Sequence, residues 1–147
     1  GSEMCIRDRV AADEVLLPIQ CEYYALEGVT QLMRTIEAVR HAMNKELRLG
    51  SILMTMFDGR TRLSTQVDEE VRTHFARETM STRIPRSVRV SEAPSYSRSV
   101  LTYEPTSAGA VAYREAAAEF AKRHACDEHS TNTSDVKHPD ASDTKKG

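Results

Sequence analysis

The pattern of apolar and polar positions along the 147-residue chain predicts three strands that alternate with three helices. The first strand is the nearly continuous apolar run 15–19, which is typical of a strand buried on both faces in a parallel sheet, although Pro18 weakens this prediction. A second apolar run, 51–57, predicts a similar strand that ends at an Asp-Gly turn. A short edge strand is expected at 82–84, where Pro85 would stop it.

Helical spacing of apolar residues separates these strands. From Leu26 to Met43 apolar side chains recur every three or four positions, which predicts one face of an amphipathic helix. A second helix is expected from an N-cap at Ser64 to about Glu78, with acidic residues in its early turns. After a polar loop, a third helix is predicted over 107–124. Alternating strands and helices imply right-handed crossovers and a small parallel α/β sheet with at least one uncovered edge.

Both ends of the chain differ from this body. Residues 1–10 are charged and lack periodicity, so we expect a foreign or frayed leader. In residues 125–147 the only aliphatic side chain larger than alanine is Val136. Such a segment cannot offset the entropy of ordering itself, and we predict a disordered tail. One folded domain is therefore expected at 11–124.

Composition narrows the class of protein. With 39% hydrophobic and 29% charged residues, the chain is typical of a soluble domain with a polar appendage. A net charge of −2 means that any contact with nucleic acid must come from a local patch. No apolar run reaches the roughly 18–20 residues of a membrane span. The three cysteines are far apart and do not form a disulfide framework, so we expect a cytoplasmic protein.

A polar and aromatic stretch, QCEYYALEG, follows the first strand at 20–28. Ligands of open α/β sheets bind outside the carboxyl ends of the strands, where Gln20, Glu22 and Tyr23 would lie. The alternative is an ordinary loop that leads into an acidic first helical turn. Position alone favours the ordinary loop.

A stretch rich in arginine follows the second strand. Arg60 and Arg62 are predicted in an exposed loop, and residues 60–98 contain eight arginines, five acidic residues and no lysine, a net charge of +3. Arginine without lysine favours two-point contacts with phosphate or carboxylate groups. The alternative, a solvated charged surface, is equally compatible with the pattern.

Other chemistry has little support in the sequence. His124, Cys126 and His129 are three possible metal ligands, but they lie at the start of the predicted tail without a second cluster, so we predict no metal site. The serines near Glu92 have no histidine beside them, so a serine nucleophile is not expected. No GxxxxGK[ST] phosphate loop and no GxGxxG motif occurs in the chain.

Three stretches carry a resemblance to a known family. They are AADEVLLPIQCEYYALEGVTQLMRTI, LMTMFDGRTRLSTQV and IPRSVRVSEAPSYSRSVLTYEPTSAGAVAYREAAAEF, in this order. All are similar to the C-terminal portion of the ParA/Soj chromosome-partitioning ATPases, and the resemblance covers about residues 11–124. It implies the C-terminal part of a P-loop NTPase-like parallel sheet with flanking helices, incomplete here, of the deviant-Walker type found in MinD.

The resemblance also implies partners and cofactors for the intact proteins. Members of the family bind ATP with Mg, form a homodimer face to face, and bind DNA without sequence preference, and a ParB partner stimulates hydrolysis. Such a protein would be cytoplasmic and associated with the nucleoid. The arginine of the family's FDGRT-like loop falls on Arg60, and the second arginine of its IPRxVR motif falls on Arg89. Both resemble DNA-contacting positions, and Arg62 and Arg86 are added as candidates beside them.

The nucleotide pocket of the family also has counterparts in this chain. Met56, at the end of the second strand, and Pro85 with Arg86 resemble the adenine side of that pocket. The stretch QCEYYALEG resembles the segment near the nucleotide and the dimer interface, which adds Gln20 and Glu22 as candidate nucleotide-binding residues.

The chain departs from the family in one serious respect. The KGGVGKTT-type loop, the second Walker lysine and the Walker B strand of the family lie upstream of the matched portion, where this chain has only GSEMCIRDR. We therefore expect no catalysis and no tight binding of ATP or Mg by these residues. A truncated gene or an incomplete sequence of a complete ATPase would explain the departure equally well.

Two alternative functions stay open at this point. One is a non-catalytic module that competes with a full-length partner for dimerisation or for DNA. The other is a MinD-like membrane-associated ATPase. Membrane targeting of the MinD type needs a C-terminal amphipathic helix with basic and bulky apolar faces, and the Ser-, Thr- and Asp-rich sequence after residue 124 lacks such faces. We therefore expect no membrane partner.

Overall fold

The order of strands and helices agrees with the pattern of apolar positions. The computed structural model describes residues 8–131, with side chains as far as residue 125, and residues 8–10 form a short helical turn. Its elements are β1 (Glu14–Gln20), α1 (Ala25–Ala42), β2 (Arg48–Phe57), α2 (Arg62–His74), β3 (Thr79–Pro85), α3 (Val88–Glu92), a 3-10 turn (Ala93–Tyr96), α4 (Val100–Tyr103) and α5 (Ala108–Thr131).

The three strands form one parallel sheet in the order β1-β2-β3. Helices α1 and α2 cover one face, where Val29 and Val71 pack in one core cluster with Ile52 of β2. Helix α5 covers the other face over β3, where Ile84 packs with Ala112. The predicted α/β architecture, a parallel sheet with flanking helices, is therefore confirmed.

Strand β1 is less buried than its apolar sequence predicts. Ile19 is buried, but Leu16 is 44% exposed and Pro18 is also exposed. The prediction that this strand is buried on both faces is wrong, because α5 packs mainly on β3. The N–H of Cys21 donates to the carbonyl of Thr55 at 3.0 Å. Since backbone groups alternate in direction along a strand, Pro18 faces away from β2, where its missing N–H removes no sheet hydrogen bond.

Strand β3 contains a bulge near its middle. Thr79 pairs with Ile52 and Arg83 pairs with Met54, so β3 has two more residues than β2 between these pairs. Extra residues in a bulge lose their partners in the sheet ladder and leave backbone groups that need other hydrogen bonds. Strand β3 is longer than the predicted strand at 82–84 and includes Pro85, and in the described part of the chain it lies at an edge of the sheet.

The ends of α2 differ from the predicted ones. The helix begins at Arg62, and the hydroxyl of Thr61 accepts the N–H of Ser64 at 3.3 Å. Thr61 is therefore the N-cap, and the prediction of a cap at Ser64 is wrong. Both residue types favour caps, and the extended backbone of Thr61 decides between them. The helix ends at His74, before the predicted end at about Glu78.

The segment between β3 and α5, predicted as a polar loop, is mostly helical. It contains α3, the 3-10 turn and α4, and a small core of Ala93 and Val100 packs with Ala110 of α5. These few apolar residues are too widely spaced to produce a helical pattern in the sequence, so tertiary packing supports the short helices. Arg89, predicted on a loop, lies on α3.

The last helix is longer than predicted. It continues to Thr131, whereas the apolar pattern predicts an end at about His124. The remainder of the predicted tail, 132–147, and residues 1–7 of the predicted leader lie outside the described residues. Between residues 8 and 131, no helix is both long enough and apolar enough to cross a membrane.

Of the three residues considered as metal ligands, only His124 has a described side chain. The side chains of Cys126 and His129 lie outside the described part of the chain. His124 is described, and its Nε2 lies 2.9 Å from the carboxylate of Glu14 on β1. In the described part of the chain, no group of three or more His, Cys, Asp or Glu side chains is arranged to hold a metal ion.

Candidate functional site

The carboxyl ends of the three strands meet at one edge of the sheet. Gln20, the last residue of β1, pairs with Thr55 of β2, and Pro85, the last residue of β3, pairs with Phe57. The N–H of Arg86 donates to the carbonyl of Phe57 at 2.9 Å, which ties the loop after β3 to the end of β2. The residues predicted to bind nucleotide therefore lie along the edge where open α/β sheets hold their ligands.

Met56 has an unusual backbone conformation at this edge. Between the pairs Met54–Arg83 and Phe57–Pro85, β2 has one more residue than β3, and within this bulge Met56 has a left-handed φ of 55°. A residue with a side chain pays roughly 1–2 kcal/mol in this conformation, so the surrounding structure must hold it. Strain of this kind is concentrated at functional sites.

A cleft of about 540 Å³ opens between the loops that follow the strands. Of the residues predicted to bind nucleotide, only Glu22 and Arg86 line it, and they form an exposed 3.7 Å ion pair. Gln20 lines a separate hollow beside β1 and α1. The residues that line the cleft are Cys21, Glu22, Tyr23, Tyr24, Asp58, Thr61, Leu63, Ser64 and Arg86.

Two tyrosines stand exposed at the rim of this cleft. Tyr23 and Tyr24 are 77% and 72% exposed, and their rings meet edge to face with centroids 5.1 Å apart. They lie in the turn between β1 and α1. Exposed aromatic faces can stack on a base or pack against a protein partner. The tyrosines therefore place exposed aromatic surface at this edge of the sheet.

Arg60 lies in the loop between β2 and α2, as predicted, but it is already paired. Its Nε and Nη2 donate to the two carboxylate oxygens of Asp58 at 3.0 and 3.1 Å. The Arg60 side chain is 92% exposed. The side-chain hydrogen bond from Arg60, followed by a backbone hydrogen bond from the same residue, lowers the pKa of Asp58. The motif that points to Arg60 does not indicate this pairing with Asp58.

The other candidate DNA-binding arginines differ in whether an acidic side chain pairs with them. Arg89 pairs with Glu92 on α3 at 3.2 Å, and the charge of Glu92 raises the pKa of Arg89. Arg86 contacts Glu22, as described above. Arg62, at the start of α2, is exposed, and no ion pair or side-chain hydrogen bond joins it to another described residue. All candidate arginines therefore face solvent, and within residues 8–131 Arg62 has no acidic partner.

A buried carboxylate pairs with two further arginines of the arginine-rich stretch. Asp68 Oδ2 accepts hydrogen bonds from Nε of Arg72 and from Nε of Arg83, both at 2.9 Å. Burial alone would raise the pKa of Asp68, but the hydrogen bonds from Arg83 and Arg72 outweigh it and lower the pKa. The Arg83 guanidinium also lies 5.4 Å from the centre of the Phe57 ring. Arg72 and Arg83 therefore make the carboxylate contact that the arginine-rich stretch also allowed.

Cys21 lies at the base of the cleft and is only 3% exposed. Burial, and then the negative charge of Asp68, raise the pKa of its thiol to about 11. A thiol needs its thiolate form to act as a nucleophile. At neutral pH Cys21 therefore packs as an apolar side chain. No signal in the sequence distinguished it from the other cysteines.

Comparisons with known proteins agree with this fold. A family model described as an AAA domain matches residues 3–49, and the match begins within the predicted leader. Over 122 residues the chain is 48% identical to the chromosome-partitioning ATPase Soj of Thermus thermophilus. This alignment covers 83% of this chain and 49% of that protein. It is 48% identical over 120 residues to the chromosome partitioning protein ParA of Caulobacter vibrioides, covering 82% and 45%.

Further similarities extend to Bacillus and to a solved enzyme. The chain is 45% identical over 118 residues to the sporulation initiation inhibitor protein Soj of Bacillus subtilis, covering 80% of this chain and 47% of that protein. The crystal structure of cobyrinic acid a,c-diamide synthase from Mycobacterium smegmatis superposes with a TM-score of 0.56 at 31% identity. That superposition covers 84% of this chain and 41% of the synthase.

The parallel sheet, its flanking helices and these similarities define an α/β protein of the P-loop superfamily. Within that superfamily the chain is of the ParA/Soj partitioning type, as its three motifs imply. The chain spans about half the length of the curated relatives that it matches.

Proposed function

We propose that this chain contributes the DNA-facing and adenine-facing parts of a chromosome- or plasmid-partitioning ATPase. The observation that carries the proposal is the position of four exposed arginines. Arg60 and Arg62 follow β2, whereas Arg86 and Arg89 follow β3. Because β2 and β3 are parallel neighbours, the two connections leave the same edge of the sheet.

An arginine surface of this kind suits DNA phosphates. Guanidinium groups on loops and short helices reach the DNA backbone, and such contacts carry no information about bases. Binding should therefore be independent of sequence and should weaken steeply with salt, because each neutralised phosphate releases counterions. The net charge of −2 for the whole chain makes this local surface, rather than bulk charge, responsible for any affinity.

Single arginine substitutions test the DNA surface. We expect Arg60→Ala and Arg89→Ala to weaken binding of the 147-residue chain about equally for unrelated fluorescent duplexes. Each should reduce the log–log salt slope by about 1. The control is Arg40→Ala, which removes the same charge from an exposed position on α1. Wild-type affinity and slope in both test variants, with an unchanged circular dichroism spectrum, would contradict the proposal.

The same variants belong in a more complete protein as well. A chimera that carries the N-terminal half of the Thermus relative ahead of residues 11–147 allows DNA binding to be measured with ATP and Mg present. In that setting each contact is repeated in a dimer, so the loss of affinity should be larger than in the 147-residue chain.

The proposal extends to nucleotide at the carboxyl edge of the sheet. Solved structures of the cobyrinic acid synthase carry ADP or an ATP analogue with magnesium. In this chain the exposed tyrosine rings, the bulge at Met56 and the Arg86 side chain offer contacts for a base. Glu22 and Asp58 line the cleft, and their negative charges oppose a triphosphate. The residues therefore fit a base better than they fit phosphates.

Weak nucleotide binding is the expected consequence. In a P-loop protein, contacts with the phosphates supply most of the binding free energy of the nucleotide. The chain has no GxxxxGK[ST] loop to make these contacts. We expect no saturable binding of a fluorescent ATP analogue at micromolar protein, with or without Mg, and no ATP turnover above a buffer blank. Turnover that survives repeated purification would show that this expectation is wrong.

Partner proteins follow from the same proposal. We propose that the intact protein forms an ATP-bound homodimer, acts with a ParB-like partner and associates with the nucleoid in the cytoplasm. The support is the similarity to partitioning proteins named Soj and ParA. Sedimentation of the chimera with and without ATP tests dimerisation, and a chimera that stays monomeric with ATP bound would contradict it.

A further inference from the structure

The loop after β2 places an acid directly against a candidate DNA-binding arginine. The carboxylate of Asp58 meets Arg60 at two points, with Oδ1 accepting from Nε and Oδ2 accepting from Nη2. Oδ1 also accepts the backbone N–H of Arg60 at 3.1 Å. The loop therefore fixes the direction of the carboxylate. This parallel two-point contact is also the one that arginine makes with a phosphate.

The two side chains differ in exposure. Asp58 is 19% exposed and Arg60 is 92% exposed, so the guanidinium stands in solvent with its two-point edge turned toward the protein. Hydrogen bonds from Arg60 hold the pKa of Asp58 below its ordinary value, and the carboxyl is therefore charged at neutral pH. A phosphate that takes the same edge of Arg60 must displace this carboxylate.

We propose that Asp58 competes with DNA phosphate for Arg60 and thereby sets the affinity of the arginine surface. This inference rests on the proposed DNA-binding function. The neighbouring Arg62 has no such competitor among the described residues, so a phosphate can bind it without displacing a carboxylate. Arg60 instead exchanges one two-point partner for another when DNA binds, and the net gain from its contact is smaller than its exposure suggests.

The test variant removes the charge and keeps the loop. Asp58→Asn retains an oxygen that can accept the backbone N–H of Arg60, so the turn has the same local hydrogen bond. Asp58→Ser also retains an oxygen and serves as a second variant if the first lowers the folded fraction. The matched control is Glu69→Gln. Glu69 lines the same surface hollow as Arg60 and Arg62, but no ion pair joins it to either arginine.

Binding of the 147-residue chain to fluorescent duplex DNA is then compared at one salt concentration. We expect Asp58→Asn to bind about two- to fivefold more tightly than the wild type, the range expected for release of an exposed ion pair. Glu69→Gln changes the net charge equally and should give a clearly smaller gain. Equal gains in the two variants would overturn the proposal, because net charge alone would then explain them.

The double variant provides the decisive comparison. In the Arg60→Ala background, Asp58→Asn should give no more gain than Glu69→Gln does, since the competed arginine is absent. A full gain in that background would also overturn the proposal. If Arg60→Ala alone leaves affinity unchanged, the proposed function fails at this residue and the competition fails with it. If Arg60→Ala weakens binding but Asp58→Asn gives no gain, only the competition fails.

Discussion

The carboxylate of Glu119 on α5 accepts hydrogen bonds from both the N–H and the hydroxyl of Thr82, each at 2.8 Å. It also accepts the N–H of Ser81, and Arg123 donates to the carbonyl of Thr79 at 2.9 Å. These backbone groups belong to the first part of β3 and its bulge. Two side chains of α5 thus provide hydrogen-bond partners for backbone groups of β3 that β2 does not pair.

The first prediction concerns this contact. Glu119→Gln leaves one acceptor oxygen and introduces an amide N–H₂ beside backbone donors, so the N–H groups of Ser81 and Thr82 no longer share a charged acceptor. We expect a loss of about 1–3 kcal/mol in the free energy of unfolding. Urea titration followed by circular dichroism measures it. Glu115→Gln is the control, since Glu115 is exposed on the same helix. Equal stability of the two variants would contradict the role of Glu119.

The second prediction concerns acid. Burial alone would raise the pKa of Glu119, but hydrogen bonds from Ser81, Thr82 and Arg123 outweigh it and lower the pKa from 4.5 to about 2. Because the folded-state pKa is depressed, the stabilisation is complete above pH 4.5 and is lost as the pH falls toward 2. Its size is at most about 3 kcal/mol. Urea titrations over this range should show a smaller loss for Glu119→Gln than for the wild type, and parallel losses would contradict the assignment.

The third prediction concerns the buried carboxylate of Asp68. Asp68→Asn leaves Arg72 and Arg83 facing each other without their shared acceptor charge. Removing one partner of a buried pair is strongly destabilising, and partial exposure of both arginines reduces the cost here to about 1–3 kcal/mol. The control is Asp58→Asn, which removes an acid from an exposed pair and should change the unfolding midpoint little. A midpoint shift of Asp68→Asn no larger than that of the control would contradict the prediction.

The sequence predicts the order of elements because long helices and apolar strands leave periodic signals. Helix α1 illustrates this, since apolar residues recur along its whole length and Ala25–Ala42 contains nearly all of the predicted apolar face. The bulge at Met56 leaves no such signal, because no glycine marks the left-handed position. Thr61 and Ser64 are both residue types that favour N-caps, and only the backbone geometry shows that Thr61 is the cap.

The sequence predicts where the candidate site lies, but it does not predict which acidic residue pairs with each arginine. Motif similarity and strand ends locate Arg60 and Arg89 at one edge of the sheet. The acids that balance them are short-range partners, but which arginine each acid takes depends on side-chain conformation. Arg83 shows the limit clearly. It lies in the arginine-rich stretch, yet its partner Asp68 is on another element, and only the packing of α2 against the sheet brings the two together.

The last prediction concerns the outer edge of β1. Among the described residues this edge has no backbone partner, whereas β3 is satisfied by α5. Leu16 is 44% exposed, and a hollow of about 320 Å³ lined by Leu17 and Val29 runs beside the strand. Open edges with apolar side chains pair with other chains. We therefore expect the 147-residue chain to associate as its concentration rises and to unfold over a broad temperature range.

Sedimentation velocity across a concentration series measures this association. Leu16→Lys should reduce it, because a charge on an edge strand opposes pairing. Val111→Lys is the matched control, since Val111 is 42% exposed but lies on α5, away from this edge. If association runs through β1, the control should associate like the wild type. A chain that stays monomeric throughout and unfolds in one sharp cooperative transition would show that the open edge does not drive association.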